Sequence, residues 1–155
     1  MDATDIKILT ILQENGRITN SKLAAMIGIS PPAMIERVKR LEASGIIENY
    51  VAILNRGKVG FGLLAIINVS LSLHQISNLQ MVKENLVQLE EVLECYQMTG
   101  DVDFLLKVAI KDMYSYTEFV NNKLSGIPGI QNIKTSFVLD VLKSGTALKL
   151  KNVSS

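Results

Sequence analysis

The chain has 155 residues, 48% of them hydrophobic and 20% charged, which suffices to bury a core in one or two small domains and rules out a large multidomain enzyme. Sixteen Lys+Arg against fifteen Asp+Glu leave a net charge of +1, so neither a uniformly basic nucleic-acid-coating chain nor an acidic disordered one is indicated. A single cysteine, Cys95, apolar runs well short of a membrane helix and a start, Met1-Asp2-Ala3-Thr4-Asp5, without a basic, apolar leader together predict a cytoplasmic protein with no membrane association.

From Ile6 to Ile47 the apolar spacing is helical. Ile8, Leu9 and Leu12 make one stripe, closed by Asn15-Gly16; Thr19 stands as an N-cap for a second, with Leu23, Ala24 and Ile27, closed by Gly28. Ser30-Pro31 starts a third helix, since Ser caps free amides and Pro has none at the first position; Met34, Val38 and Leu41 share its inner face and Gly45 stops it. Residues 46–53 read as a short connecting strand. Three glycines within residues 54–62 mark a domain boundary, giving domains at 1–60 and 61–155. Beyond it Ile67, Val69, Leu71 and Leu73 alternate with polar residues as in a half-buried strand. Leu79, Val82, Leu86 and Leu89 return to helical spacing, 92–99 reads as a strand, and Phe104, Leu106, Val108 and Ile110 form its hairpin partner. Asp112 caps a helix running to Leu124, and 130–141 is strand-like. The order β-α-β-β-α-β predicts a ferredoxin-like antiparallel sheet with both helices on one face, hence an α+β protein. The other face, bearing Asn68, Ser70 and Ser72, is left to solvent or to a second copy, with residues 146–150 available to extend the sheet.

The second and third helices, joined by a short turn, have helix-turn-helix spacing, in which the second member enters the DNA major groove. All four arginines lie in the first 56 residues, and between Arg17 and Arg40 five basic residues (Arg17, Lys22, Arg37, Lys39, Arg40) face one acidic, Glu36. On a helical wheel Pro32, Glu36, Lys39 and Arg40 point away from the core and Ala33, Ile35 and Arg37 flank them. Candidate DNA-binding residues are therefore Arg17, Thr19, Lys22, Ser30, Pro32, Ala33, Glu36, Arg37, Lys39 and Arg40; the plainer alternative is an ordinary charged helix face. Asp101 and Asp103 share a hairpin turn with Gly100. They lack the His or Cys companions of a zinc site and the spacing of a calcium loop. A turn held by Asp side chains and a pocket for a zwitterion, its amine on Asp and its carboxylate on turn amides, both stay open. His74, the one histidine, ends the first long strand and reads as a surface residue; Cys95 reads as a small buried hydrophobe. No phosphate loop, nucleophile elbow or metal motif occurs, so neither catalytic nor metal-binding residues nor a cofactor are assigned.

Asp2-x-x-Asp5-x-x-Ile8-Leu9, Gly28-Ile29-Ser30, Arg37-Val38-Lys39-Arg40-Leu41-Glu42-x-x-Gly45-Ile46-Ile47, Met98-Thr99-Gly100-Asp101-Val102-Asp103-Phe104 and Ile127-Pro128-Gly129-Ile130 resemble, in order and over nearly the whole chain, the leucine-responsive regulatory protein/AsnC (feast/famine) family. The resemblance implies a transcription regulator with an N-terminal winged-type helix-turn-helix and a C-terminal ferredoxin-like effector domain. It further implies double-stranded DNA as partner, homodimers paired through their sheets and assembled into octamers as tetramers of dimers, and an amino-acid effector held between subunits. By position the effector residues are Thr99, Gly100, Asp101, Asp103, Thr135 and Ser136. Pro31-Pro32 departs from the usual family pattern, which bears on base preference. The rival classes are a sensor module that does not regulate DNA, against which the basic third helix speaks, and a decarboxylase-like enzyme on the same fold, for which no arginine is available after Arg56.

Overall fold

Asp2 opens the first helix as half of a reciprocal capping box: its Oδ1 accepts from the Asp5 amide at 2.8 Å, and Asp5 Oδ2 accepts from the Asp2 amide at 2.9 Å. In the computed structural model, which describes residues 1–72 and 79–150, this helix is α1 (Ala3–Glu14), followed by α2 (Asn20–Ile27) and α3 (Pro31–Ala43). Thr19 and Ser30 cap α2 and α3 as their positions predict. The end of α3 is a Schellman turn: Gly45 sits at φ 73°, its amide donating to Glu42 and that of Ile46 to Leu41, so the left-handed residue has to be one without a Cβ. Ile8, Leu23, Met34 and Leu41, each at most 2% exposed, form the core of this helical unit.

The second unit contains β1 (Leu63–Leu71), α4 (Leu79–Val87), β2 (Val92–Gln97), β3 (Phe104–Ile110), α5 (Met113–Glu118) and β4 (Ile130–Phe137). The strands pair antiparallel in the order β2-β3-β1-β4, the ferredoxin-like arrangement the sequence order predicts. Alternation sorts the side chains: Ala65, Ile67 and Val69 join Phe104, Leu106 and Val108 beneath the helices, packed on Val82, Leu86 and Phe119, while Ile66, Asn68 and Ser70 lie on the opposite face.

Four expectations need correction. Residues 46–53 contain no strand: a strand needs a ladder, none is offered among the described residues, and Val51 and Ile53 are 75% and 80% exposed. The segment is instead tied to its own unit where the Tyr50 hydroxyl donates to Glu42 at 3.1 Å. The last strand stops at Phe137, short of residue 141. The helix after Asp112 changes to π-helix over Phe119–Leu124; the i→i+5 turn aligns Phe119 and Leu124, five apart and both buried, on the core, which ordinary α spacing does not do. Residues 146–150 do not extend the sheet. They return to the helical unit, where Gln13 grips the Leu148 backbone, accepting its amide at 2.6 Å and donating to its carbonyl at 3.2 Å, and Leu150 packs on the helical core.

Compact units accordingly fall, among the described residues, at Met1–Ile53 with residues 143–150, and at Leu54–Leu142, compared with the sequence division after residue 60. Cys95 is half-buried against the sheet core, which raises its thiol pKa. The reading of His74 falls outside the described residues.

Candidate nucleic-acid interface and effector turn

The helix-turn-helix is built by its caps. Gly28, at φ 83°, ends α2 in a left-handed turn, and two residues later Ser30 Oγ accepts from the Ala33 amide at 3.4 Å, with Pro31 supplying a helical φ without an amide to satisfy. Met34, Val38 and Leu41 hold α3 against the core. The spacing of 3.6 residues then places Pro32, Ile35, Glu36 and Lys39 together on one exposed face, with Ala33 and Arg37 half-buried beside them. Ile35 is 39% exposed and belongs with this outer face, where the wheel had put it on the flank; its spacing of three from Pro32 and four from Lys39 was the available signal. Before α2, an open cleft of about 430 Å³ is lined by Asn15, Arg17, Thr19 and Lys22 among others. Arg17 and Lys22 are exposed there, and among the described residues neither joins an ion pair.

Arg37 and Arg40 are placed differently. Arg37 Nη1 donates to Asp2 Oδ2 at 2.7 Å and to Asp5 Oδ1 at 2.8 Å; Arg40 Nη2 donates to Asp5 at 2.9 and 3.2 Å. Asp5 is 3% exposed. Burial pushes its carboxyl pKa up, but the Asp2 amide and the Arg37 guanidinium outweigh this and hold it below the usual range. Asp2 drops from an ordinary 3.8 to about 2, chiefly through the Asp5 amide and then Arg37. The sequence reading had Arg37 and Arg40 facing DNA and missed these carboxylates, although Asp2-x-x-Asp5 is itself a capping-box spacing.

In the second unit the turn from Met98 to Asp103 is fastened to β1. The Asp103 amide donates to the Val69 carbonyl at 3.1 Å, the Leu71 amide to Asp103 Oδ2 at 2.7 Å, and Ser70 Oγ to the Asp101 carbonyl at 3.2 Å. Gly100 takes φ 104°, open to Gly far more readily than to an L side chain. Thr99, Gly100 and Asp101 are exposed, whereas Asp103 is half-buried with one oxygen already engaged. Thr135 and Ser136 point to opposite faces of β4: Thr135 lies under the helices and accepts from the Tyr116 hydroxyl at 2.7 Å, and Ser136 is exposed on the open face. Ser136 is four positions along β4 from Asn132, the partner of Ser70, roughly 13 Å by strand rise, so one copy does not bring it to the turn. Ser70, fastened to the turn, was missed as a site residue because it read only as one polar member of an alternating strand.

Residues 1–48 match the winged helix-turn-helix DNA-binding family, and residues 64–148 the Lrp/AsnC ligand binding domain. The chain is 38% identical over 151 residues to the leucine-responsive regulatory protein of Haemophilus influenzae, covering 97% of this chain and 91% of that one. To its Escherichia coli counterpart it is 34% identical over the same length, covering 97% and 92%. Among solved structures, a transcriptional regulator from Neisseria meningitidis in complex with L-methionine superposes with a TM-score of 0.91 at 38% identity, over 96% of each chain.

Proposed function

Because the chain belongs to the Lrp/AsnC family and is a DNA-binding transcriptional regulator with a ligand-binding domain, we propose a division of labour among its residues. Pro32, Ile35, Glu36 and Lys39 address base edges in the major groove, Ala33 lets the helix approach closely, and Arg17, Thr19, Lys22 and the capped Ser30 end hold phosphates. The observation that carries this is the exposed face of α3, in one helical unit with two exposed basic side chains, Arg17 and Lys22, that join no ion pair among the described residues. Ile35 is suited to the methyl group of a thymine.

The effector is a free amino acid, as in the Neisseria meningitidis relative bound to L-methionine. Thr99, Gly100 and Asp101 offer hydroxyl, amide and carboxylate to the zwitterion, while Asp103 shapes the turn from behind. Ser136, on the open face, reaches a turn only across an interface, which supports a homodimer built on that face, whereas Thr135 is held on the helix-covered face by Tyr116. Assembly of four such dimers into an octamer belongs to the same proposal. No helix among the described residues is long and apolar enough to cross a membrane. The relatives are named as regulators, and the reading carried over is of a regulator acting on DNA in the cytoplasm and not of an enzyme.

Selection of duplexes from a random-sequence pool by the full-length protein tests the reading. An enriched near-palindrome is expected, and Ile35→Ala should relax preference at one thymine by about 1 to 3 kcal/mol. Failure to enrich any sequence overturns the assignment of α3 as the reading helix.

A further inference from the structure

The recognition helix carries two arginines, Arg37 and Arg40, three apart on the stripe that faces the start of α1, and both end on the same buried carboxylate. The Asp5 side chain is only 4% exposed yet accepts from the Asp2 amide, from Arg37 Nη1 and from Arg40 Nη2. It is the only buried charged residue among those described. Such a group is stable only while its donors stay in place, so it fixes the geometry of whatever supplies them. Arg37 side-chain exposure is 28%, and its Nη1 bridges Asp2 and Asp5; that of Arg40 is 61%, with one nitrogen engaged.

We propose that Asp5 and Arg37 form a lock that sets the angle of the recognition helix, so that Arg37 serves DNA binding as a positioning residue while Arg40 both completes the lock and keeps free donors for a phosphate. The inference rests on reading α3 as the helix that enters the groove. It also redistributes the field: Asp2 and Asp5 offset the two arginines, leaving Arg17, Lys22 and Lys39 as the uncompensated cations of the basic segment. Met34, Val38 and Leu41 seat α3 on the core shared with α1, and the Asp5 contacts add a directional polar tie to that apolar packing; a small rotation about the helix axis would carry Ile35 and Lys39 off their base edges.

The two roles differ in their dependence on salt. Each phosphate contact adds about 0.9 to the slope of log affinity against log salt, whereas a positioning residue changes affinity at constant slope. Affinity for a duplex selected by the wild-type protein is measured across a salt series for Arg37→Gln, Asp5→Asn, their combination and Arg40→Gln, each checked for helix content by circular dichroism. Arg37→Gln and Asp5→Asn should each weaken binding at least about ten-fold at the wild-type slope, and the double variant should bind no worse than the weaker single. Arg40→Gln should weaken binding and lower the slope by about 0.9.

If Asp5→Asn does not fold, Asp2→Asn replaces it, since Asp2 is exposed and Asn retains an oxygen for the cap; a smaller loss, again not additive with Arg37→Gln, is then expected. A slope lowered by about 0.9 in Arg37→Gln, losses that simply add, or unchanged affinity in Arg37→Gln overturns the lock and leaves DNA recognition by α3 intact. Failure of the wild type to select any duplex removes the recognition-helix reading, and this inference with it.

Discussion

At the scale of single residues, Asp2 links fold stability to pH. Its folded-state pKa lies near 2 against an ordinary 3.8, because the charged form is held by the Asp5 amide and then by Arg37. A depressed carboxyl contributes stability that is present above its unfolded value and lost as pH falls through the folded one. The difference in melting temperature between wild type and Asp2→Asn should therefore be complete above pH 3.8 and close toward pH 2. A difference that persists unchanged at pH 2 would show that the charge of Asp2 plays no part. Residue-level reading of the sequence succeeded where one side chain satisfies its own neighbours: Thr19, Ser30 and Asp112 all cap the helices they precede. It did not see Arg37 and Arg40 turning to Asp5, because that pairing spans more than thirty residues and depends on how two helices pack.

At the scale of elements, periodicity identified every helix and strand that packs on a core, since burial of one face is what writes the pattern. It misread residues 46–53 and 146–150, where apolar residues occur without a ladder partner among the described residues. It also could not show the π-helix, whose reason lies in the core opposite it. Phe119 and Leu124 are 1% and 0% exposed, and the widened turn lets both join the core that also contains Val82 and Leu86. Leu124→Ala should cost about 2 to 5 kcal/mol, read from urea unfolding of the full chain. A cost under about 1 kcal/mol would mean that the π turn relaxes to α-helix and refills the space. The candidate effector turn was legible as a turn, from Gly100 followed by Asp101 and Asp103; that Asp103 is spent on the Leu71 amide was not.

At the scale of the whole molecule, Ser136 lies four positions along β4 from the register of the Met98–Asp103 turn, too far for the two to act together within one copy, so sensing and assembly are expected to be linked. Light scattering of the wild type at micromolar concentration should give a dimer or a multiple of it, and titration with the binding amino acid should change that distribution or the affinity for DNA. A monomeric mass with the effector still bound overturns the shared site. The clasp of Gln13 on Leu148 and the seat of Leu150 on the helical core give the fold a particular order of completion. The DNA-reading unit is not contiguous in the chain: its first 53 residues leave the ribosome early, but its closing contacts wait until the entire effector unit has been made. A polypeptide released partway through translation thus carries a helix-turn-helix without its final brace, the Gln13 clasp and the Leu150 seat.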